Sequence, residues 1–488
     1  MTRVLIDYRI CAHCPWPYII AKNHKMKKTV KIALSLVLLI VASSITGCKN
    51  RKTSDKKVAD SAENPSKTLM TDTQLLDKIQ RETFDYFWDG AEPVSGLARE
   101  RLHMDNIYPS HDKDIITIGG SGFGLMAILV GIERGFITQK QALERYERAV
   151  QFLSKADRFH GAWPHWLMPT GKTAPFSEKD NGGDLVESAF LIQGLLTVRE
   201  YFKNGNEREK LLAENIQKLW EEVEWDWYTK GGEDVLYWHW SPNYGWDMNF
   251  PVGGYNEALI MYILAAASPT HPIKKSVYEK GWARNGAIAN DTVYYGLETE
   301  LDHYEHDKSP VGPMFWAHYS YLGLNPKGLK DQYGDYWKLN VNHALIQYRH
   351  SLENPNNYKG YGKNLWGLTS SYSMKGYAGH RPDRDLGVIS PTAALSSMPY
   401  TPKESLDFLR YMYTEQDSLI GKYGPYDAFS LEHKWVLPRY LAIDQGPIPV
   451  MIENYRSGLL WELFMKNEDV QKGLQKLGFT SSNVTVDE

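Results

Sequence analysis

From Thr71 onward the chain alternates two kinds of apolar pattern. In the first, core-type residues recur three or four apart, as in Leu76, Ile79, Thr83 and Phe87, or Leu143, Tyr146, Val150 and Leu153. That spacing marks one face of an amphipathic helix. Thr138 to Phe159 and Glu207 to Val223 read this way and predict an outer layer. In the second, apolar and small residues fill nearly every position: "GFGLMAILVG", "ESAFLIQGLLTV", "NEALIMYILAAAS", "SPTAALSSM" and "ENYRSGLLWELF". Helices apolar all round are buried on most sides, so these segments are expected inside. The alternation predicts an all-α fold, an α/α toroid of helical hairpins. A solenoid would need a fixed internal period, and no such period occurs.

Strand-like alternation is scarce. Asp114 to Ile118 and Val235 to Trp238 sit beside glycines and are expected as loop hairpins. The loops that enter the inner segments are long and aromatic, as in "FHGAWPHWLMPTGKTAPFSEKDNGGD" before Leu185, while return loops such as Gly135-Phe136-Ile137 are short. Long loops in compact domains are usually functional. The site is therefore expected at the N-terminal mouths of the inner helices.

The first 70 residues follow other rules. Met26 to Cys48, "MKKTVKIALSLVLLIVASSITGC", has a basic start, a signal-length apolar run and small residues before a cysteine. Its end, Ile45-Thr46-Gly47-Cys48, resembles a bacterial lipobox, so residues 26–47 are expected to be a signal peptide and Cys48 the acylated mature N-terminus. The run ends too early for a membrane-spanning helix. Residues 1–25 fit no signal pattern and read as a start assigned too far upstream. The polar stretch after Cys48, to Met70, cannot repay the entropy of ordering and reads as a tether. A cell-envelope location follows, periplasmic or on the outer-membrane side; Lys49 after Cys48 lacks the Asp that often signals inner-membrane retention.

Composition narrows the chemistry. A formal net charge of -4 shows no electrostatic footprint for nucleic acid. The cysteines, Cys11, Cys14 and Cys48, all precede the folded part, so no disulfide is expected there. With 16 Trp and 31 Tyr the chain is rich in flat apolar faces with polar handles, which suit sugars.

Acids at the helix mouths carry the candidate chemistry. "DNGGDLVE" places Asp180 in the loop and Asp184 and Glu187 three apart on one face of a new helix. Ordinary capping also accounts for Asp184. Glu257 follows Gly253-Gly254-Tyr255-Asn256 and opens an apolar helix near Tyr244, Trp246 and Phe250. A first-turn Glu can simply favour the helix dipole, but a ring-lined, partly dry setting would raise its pKa toward that of a general acid. In "AIDQGPIPVMIENY", Asp444 precedes a Gly-Pro turn and Glu453 lies further along; Asp444 could also just organise the turn. "GHRPDRDLGVISPTA" brings an Arg-Asp lattice of structural type, with Arg381 kept as a substrate-binding candidate.

Other motifs fail. Gly122-Phe123-Gly124-Leu125-Met126-Ala127 matches a dinucleotide fingerprint, but no second strand with an acid at its tip follows. Cys11-Ala12-His13-Cys14 lacks the second half of a zinc site. Asp180, Asn181 and Asp184 fall short of a calcium loop's ligand count. No metal is expected. Paired carboxylates among rings are the equipment of glycoside hydrolysis, although rings and acids also serve a non-catalytic glycan-binding lipoprotein.

The strings "DNGGDLVESAFLIQGLL", "GGYNEALIMYILAAAS", "GHRPDRDLGVISPTAALSSMPYTP" and "YGPYDAFS" resemble the bacterial glucoamylase-like domain of glycoside hydrolase family 144, over nearly all of residues 71–478. The resemblance implies one (α/α)6 barrel, hydrolysis of β-1,2-linked glucan with inversion, and no cofactor. By motif it implies Glu257 as general acid and Asp444 as the base. Asp180, Asp184 and Glu187 become cleft residues that bind glucose and tune the acid, the latter two within the catalytic set. Tyr244, Trp246, Tyr255, Arg381 and Glu453 are expected to contact substrate. The protein is expected to act as a monomer, with 479–488 a polar tail; endo and exo action both stay open.

Overall fold

The computed structural model describes residues 70–108, 110–303 and 311–481. Residues 1–25, the signal segment 26–47, Cys48 and all of the tether but Met70 lie outside the described residues. No helix among the described residues is long and apolar enough to cross a membrane.

Helices α1 (Asp72–Trp88), α2 (Ile118–Glu133), α3 (Gln139–Leu153), α4 (Leu185–Phe202), α5 (Glu207–Glu221) and α6 (Leu259–Ala267) alternate outer and inner. The later rungs repeat this. Lys275–Val277 and Tyr278–Trp282 lie outside, and the short turns Met314–Ala317 and Tyr319–Tyr321 inside. Tyr336–Glu353 and Pro402–Glu415 are outer helices, Pro391–Leu395 and Pro447–Arg456 inner ones. Burial separates the two layers. Every residue of α6 and of α2 from Ile118 to Gly131 is buried, whereas α3 buries one stripe, Ala142, Leu143, Tyr146, Ala149, Val150 and Leu153. The outer helices start where their sequences signal it, with reciprocal caps at Thr71/Gln74, Thr138/Gln141 and Asn206/Glu209.

The glycines of α2 pack helices. A Cβ on Gly122 would lie 2.2 Å from the Phe190 carbonyl oxygen, and one on Gly194 would lie 2.2 Å from that of Gly122. Backbone meets backbone between α2 and α4, which only glycine permits. The dinucleotide-like spacing is thus an inner-helix contact.

Short strand pairs stitch the mouths together. Ile116–Thr117 pairs with Trp166–Leu167, Gly183–Asp184 with His239–Trp240, and Arg101–His103 with Arg439–Leu441. The strand expected at Val235–Trp238 is therefore displaced onto His239–Trp240, and the Ile116 strand pairs with a neighbouring loop instead of forming a hairpin. Three helix boundaries also differ from the sequence reading. Helix α3 stops at Leu153 and α5 at Glu221. "ENYRSGLLWELF" breaks at Gly458, whose φ of 78° ends Pro447–Arg456 before Leu459–Met465 begins. The tail starts later than expected: Phe479 packs 5.6 Å from Tyr278 and 5.5 Å from Tyr336, and Thr480 exchanges backbone hydrogen bonds with Lys330.

Candidate active site

Two mouths meet at α2 and α4. Asp184 is the N-cap of α4, and its Oδ1 accepts the Glu187 N–H at 2.9 Å. The capping role is real, and the other oxygen does more. Oδ2 accepts His165 Nδ1 at 2.8 Å and Trp238 Nε1 at 3.1 Å. Glu187 turns back across the helix pair, where its Oε2 accepts the Gly119 N–H of α2 at 2.8 Å. Asp180, on the incoming loop, places a carboxyl oxygen 3.2 Å from His239 Nε2.

Protonation follows from this packing. Burial acts to lower the His165 pKa, but Glu187, Asp184 and Asp180 around it raise it to about 10. Burial pushes Asp180 and Glu187 each up to about 7, with the His165 charge opposing and the neighbouring carboxylates adding. Burial also lowers His239 to about 4. Its Nε2 accepts the Gly182 N–H at 3.3 Å.

Glu257 sits in the turn just before α6, two residues earlier than the helix proper. It is 4% exposed, and no hydrogen-bond partner reaches its Oε2 among the described residues. Burial pushes it up to about 8; its own backbone N–H opposes this, and the Glu187 and Asp184 charges add to it. At neutral pH it holds its proton, as a general acid must.

The opposite wall carries Asp444, in the helical turn Ala442–Gln445 that follows strand Arg439–Leu441. It is buried, and burial and then the charge of a second buried carboxyl, Asp427, push its pKa well above the carboxylate range. Between the walls lies Tyr319, whose hydroxyl feels the charges of Asp444, Glu187 and Glu257. Its ring packs 4.9 Å from Phe123, 5.5 Å from Phe190 and 4.9 Å from Phe315, making an apolar floor.

The remaining candidates divide. Tyr244 is 36% exposed and donates its hydroxyl to Glu178 at 3.0 Å. Trp246 packs its ring 6.5 Å from Trp227 and 5.6 Å from Tyr237. Tyr255 is fully buried with its hydroxyl on Asn340 at 2.6 Å, so it supports the wall from behind. Arg381 is also buried and forks onto Asp383 at 2.5 and 3.1 Å. It neighbours a lattice in which Asp385 takes His350 and Tyr361. Glu453 is the clear correction. Its carboxylate takes Arg134 at 2.7 Å, Gln80 at 3.1 Å and Ser457 at 2.6 Å, at the C-terminal end of its helix and away from the mouths. His165, Asp180 and Asp184 place potential ligand atoms within 4.8 Å of one another. His165 and Asp184 are hydrogen-bonded to each other, Nδ1 to Oδ2.

The chain has counterparts among solved structures. The Glycoamylase family profile, described as "Putative glucoamylase", matches residues 249–468. The solved endo-β-1,2-glucanase of Chitinophaga pinensis, in complex with sophorotriose and glucose, is 60% identical, with a TM-score of 0.84 over 85% of this chain and 100% of that one. The chain belongs to glycoside hydrolase family 144. A solved β-1,2-glucanase of Parabacteroides distasonis is 45% identical, with a TM-score of 0.79 over 84% of this chain and 60% of that one. A curated relative from the same organism, an exo β-1,2-glucooligosaccharide sophorohydrolase acting at the non-reducing end, is 45% identical over 84% of this chain. The chain spans 58% of that relative's length.

Within this family 144 chain the matched profile contains Glu257, Asp427 and Asp444, while the Asp180, Asp184 and Glu187 cluster lies N-terminal to it. Reading the sequence for its acids missed His165, Asp427 and Tyr319 as site residues. Asp427 stood in the "YGPYDAFS" string; His165 and Tyr319 carry no local signal, since only long-range packing brings them to the acids.

Proposed function

We propose that the chain is a lipid-anchored, inverting glycoside hydrolase that cleaves β-1,2-glucan at the cell envelope. Glu257 protonates the leaving glycosidic oxygen, and Asp444 takes a proton from the water that attacks the anomeric carbon from the other face. Asp180, Asp184, Glu187 and His165 form the polar wall that receives glucose hydroxyls, and Tyr244 and Trp246 offer faces to further sugar units. The observation that carries this reading is Glu257: a buried carboxyl kept protonated by its surroundings, with an oxygen that no donor reaches among the described residues. The names of the relatives share the β-1,2-glucan linkage and differ in endo or exo action.

Incubation with linear β-1,2-glucan, followed by sizing of the products, tests the reading and separates a ladder of lengths from release of disaccharide alone. Glu257→Gln should abolish hydrolysis and leave the fold intact; full activity in that variant would remove the assignment. Proton NMR of the first product should show an α-configured reducing end. Anchoring at Cys48 predicts that the full chain takes up a labelled fatty acid and partitions with membranes, and that Cys48→Ala does neither.

A further inference from the structure

Asp184 is fully buried, and among the described residues three donors fill its carboxylate. Its Oδ1 accepts the Glu187 N–H, and its Oδ2 accepts both His165 Nδ1 at 2.8 Å and Trp238 Nε1 at 3.1 Å. A sugar hydroxyl has no surface of Asp184 to reach. An ionised carboxylate can only accept, so the His165 nitrogen that faces it carries a hydrogen. That fixes the ring: Nδ1 points at Asp184 and Nε2 points away from it.

The rest of His165 is held as firmly. Its backbone carbonyl accepts the Ile118 N–H, at the start of α2, at 3.2 Å, while its side chain is tied to the N-cap of α4, so one residue spans both mouths. The ring packs 4.3 Å from Phe176 and edge-on to Trp166 at 5.6 Å. Phe176 belongs to the Asp180 loop, where its N–H donates to the Asp180 carbonyl at 2.9 Å. Nε2 meets no hydrogen-bond partner among the described residues, and the side chain keeps 19% of its surface exposed. Burial acts to lower the His165 pKa, but Glu187, Asp184 and Asp180 raise it to about 10, so Nε2 also carries a hydrogen at neutral pH. A wall of ionised carboxylates offers a sugar acceptors alone. A glucose hydroxyl that donates to one of them still has lone pairs to fill, and an N–H in the same wall fills them.

We propose that His165 is the substrate-binding donor of this wall, giving its Nε2–H to a glucose hydroxyl oxygen, and that Asp184 is the positioning residue that aims it without touching the sugar. The inference rests on the reading of the cleft as a β-1,2-glucan site, and it divides the acids of the wall by what they touch. Asp184 acts on the glucan only through the imidazole.

His165→Gln, Asp184→Asn and the double variant test this in the full chain carrying Glu257→Gln, with thermal unfolding as the folding control. Calorimetry with a β-1,2-glucan oligosaccharide should show affinity about 10- to 100-fold weaker in each single variant, the effect of losing a charged hydrogen bond. The double variant should bind within about threefold of the weaker single one, because Asp184 has no sugar contact of its own to lose. Losses that multiply overturn the proposal, and so does affinity within about threefold of the parent in His165→Gln. A structural role alone is separated by nitrogen NMR of the histidine-labelled chain. The His165 Nε2 signal, identified by its disappearance in His165→Gln, should show an attached hydrogen at pH 7 and should shift on saturation with the oligosaccharide; a signal that stays in place overturns the contact. If the wild-type chain neither binds nor cleaves β-1,2-glucan, the functional reading fails instead. The same spectrum at pH 7 still decides the donor, and an Nε2 without a hydrogen overturns it.

Discussion

Glu257 and Glu453 are both buried glutamates on inner segments of the same barrel, and they hold opposite charge states. Glu453 is fully buried, yet hydrogen bonds from Arg134, Ser457 and Gln80 overcome the burial penalty and lower its pKa. Glu257 is buried to nearly the same degree with no donor on Oε2, and it rises to about 8. Burial alone therefore predicts neither role. What differs is compensation: a buried carboxylate that is paired becomes a structural tie, and one left unpaired keeps its proton for chemistry.

The largest test of that contrast is kinetic. Glu257→Gln should lower kcat about 1000-fold, within the range of a lost general acid, while Glu453→Gln should leave the kcat of the folded protein within about threefold. Assays of both variants on one glucan preparation would break the comparison if Glu453→Gln were the more damaging.

Stability should rank the other way. Arg134→Ala leaves Glu453 buried without its counter-charge and should destabilise the fold by about 3 kcal/mol in urea unfolding at pH 7. The folded pKa of Glu453 lies below the usual 4.5 of a glutamate, so its stabilisation is present above about pH 4.5 and is lost as pH falls through the folded value. The gap between wild type and Arg134→Ala should close in acid; a gap independent of pH would mean that the ion pair is not its source.

Gly122→Ala probes the scaffold that brings the two walls together. Forcing a methyl against the Phe190 carbonyl should cost about 1–3 kcal/mol, read as a lower unfolding temperature with the loss of activity following the unfolded fraction.

One further effect reverses the usual sign. The folded pKa of Glu257 is raised from 4.5 to about 8, so its burial destabilises the fold progressively as pH rises through that window. Glu257→Gln should unfold at a higher temperature than wild type, with an advantage that grows from pH 5 to pH 8. An advantage that shrank with pH would contradict a protonated Glu257.

Local rules made much of this molecule legible. The reciprocal caps at Thr71 and Thr138, the all-apolar run of α6 and the placement of Asp184 and Glu187 on one helix face all depend on residues within four positions of each other. Such features follow from backbone geometry, which the sequence specifies directly. The position of Glu257 at the edge of α6 was equally readable, because the change from glycine-rich loop to apolar helix marks it.

What the sequence could not decide is which distant side chain answers each charge. Glu453 looked like a cleft acid because nothing near it in the chain shows Arg134, 319 positions away. Asp427 was not singled out because the groups that act on it, Asp444 and Arg101, are distant in the chain, Arg101 arriving through a strand pairing from the far end of the domain. The sequence by itself determined the helices, the mouths and the supply of carboxyls. Only the tertiary structure decided which of those carboxyls are neutralised and which are left to hold a proton, because that balance depends on burial and on partners brought together across the closed barrel.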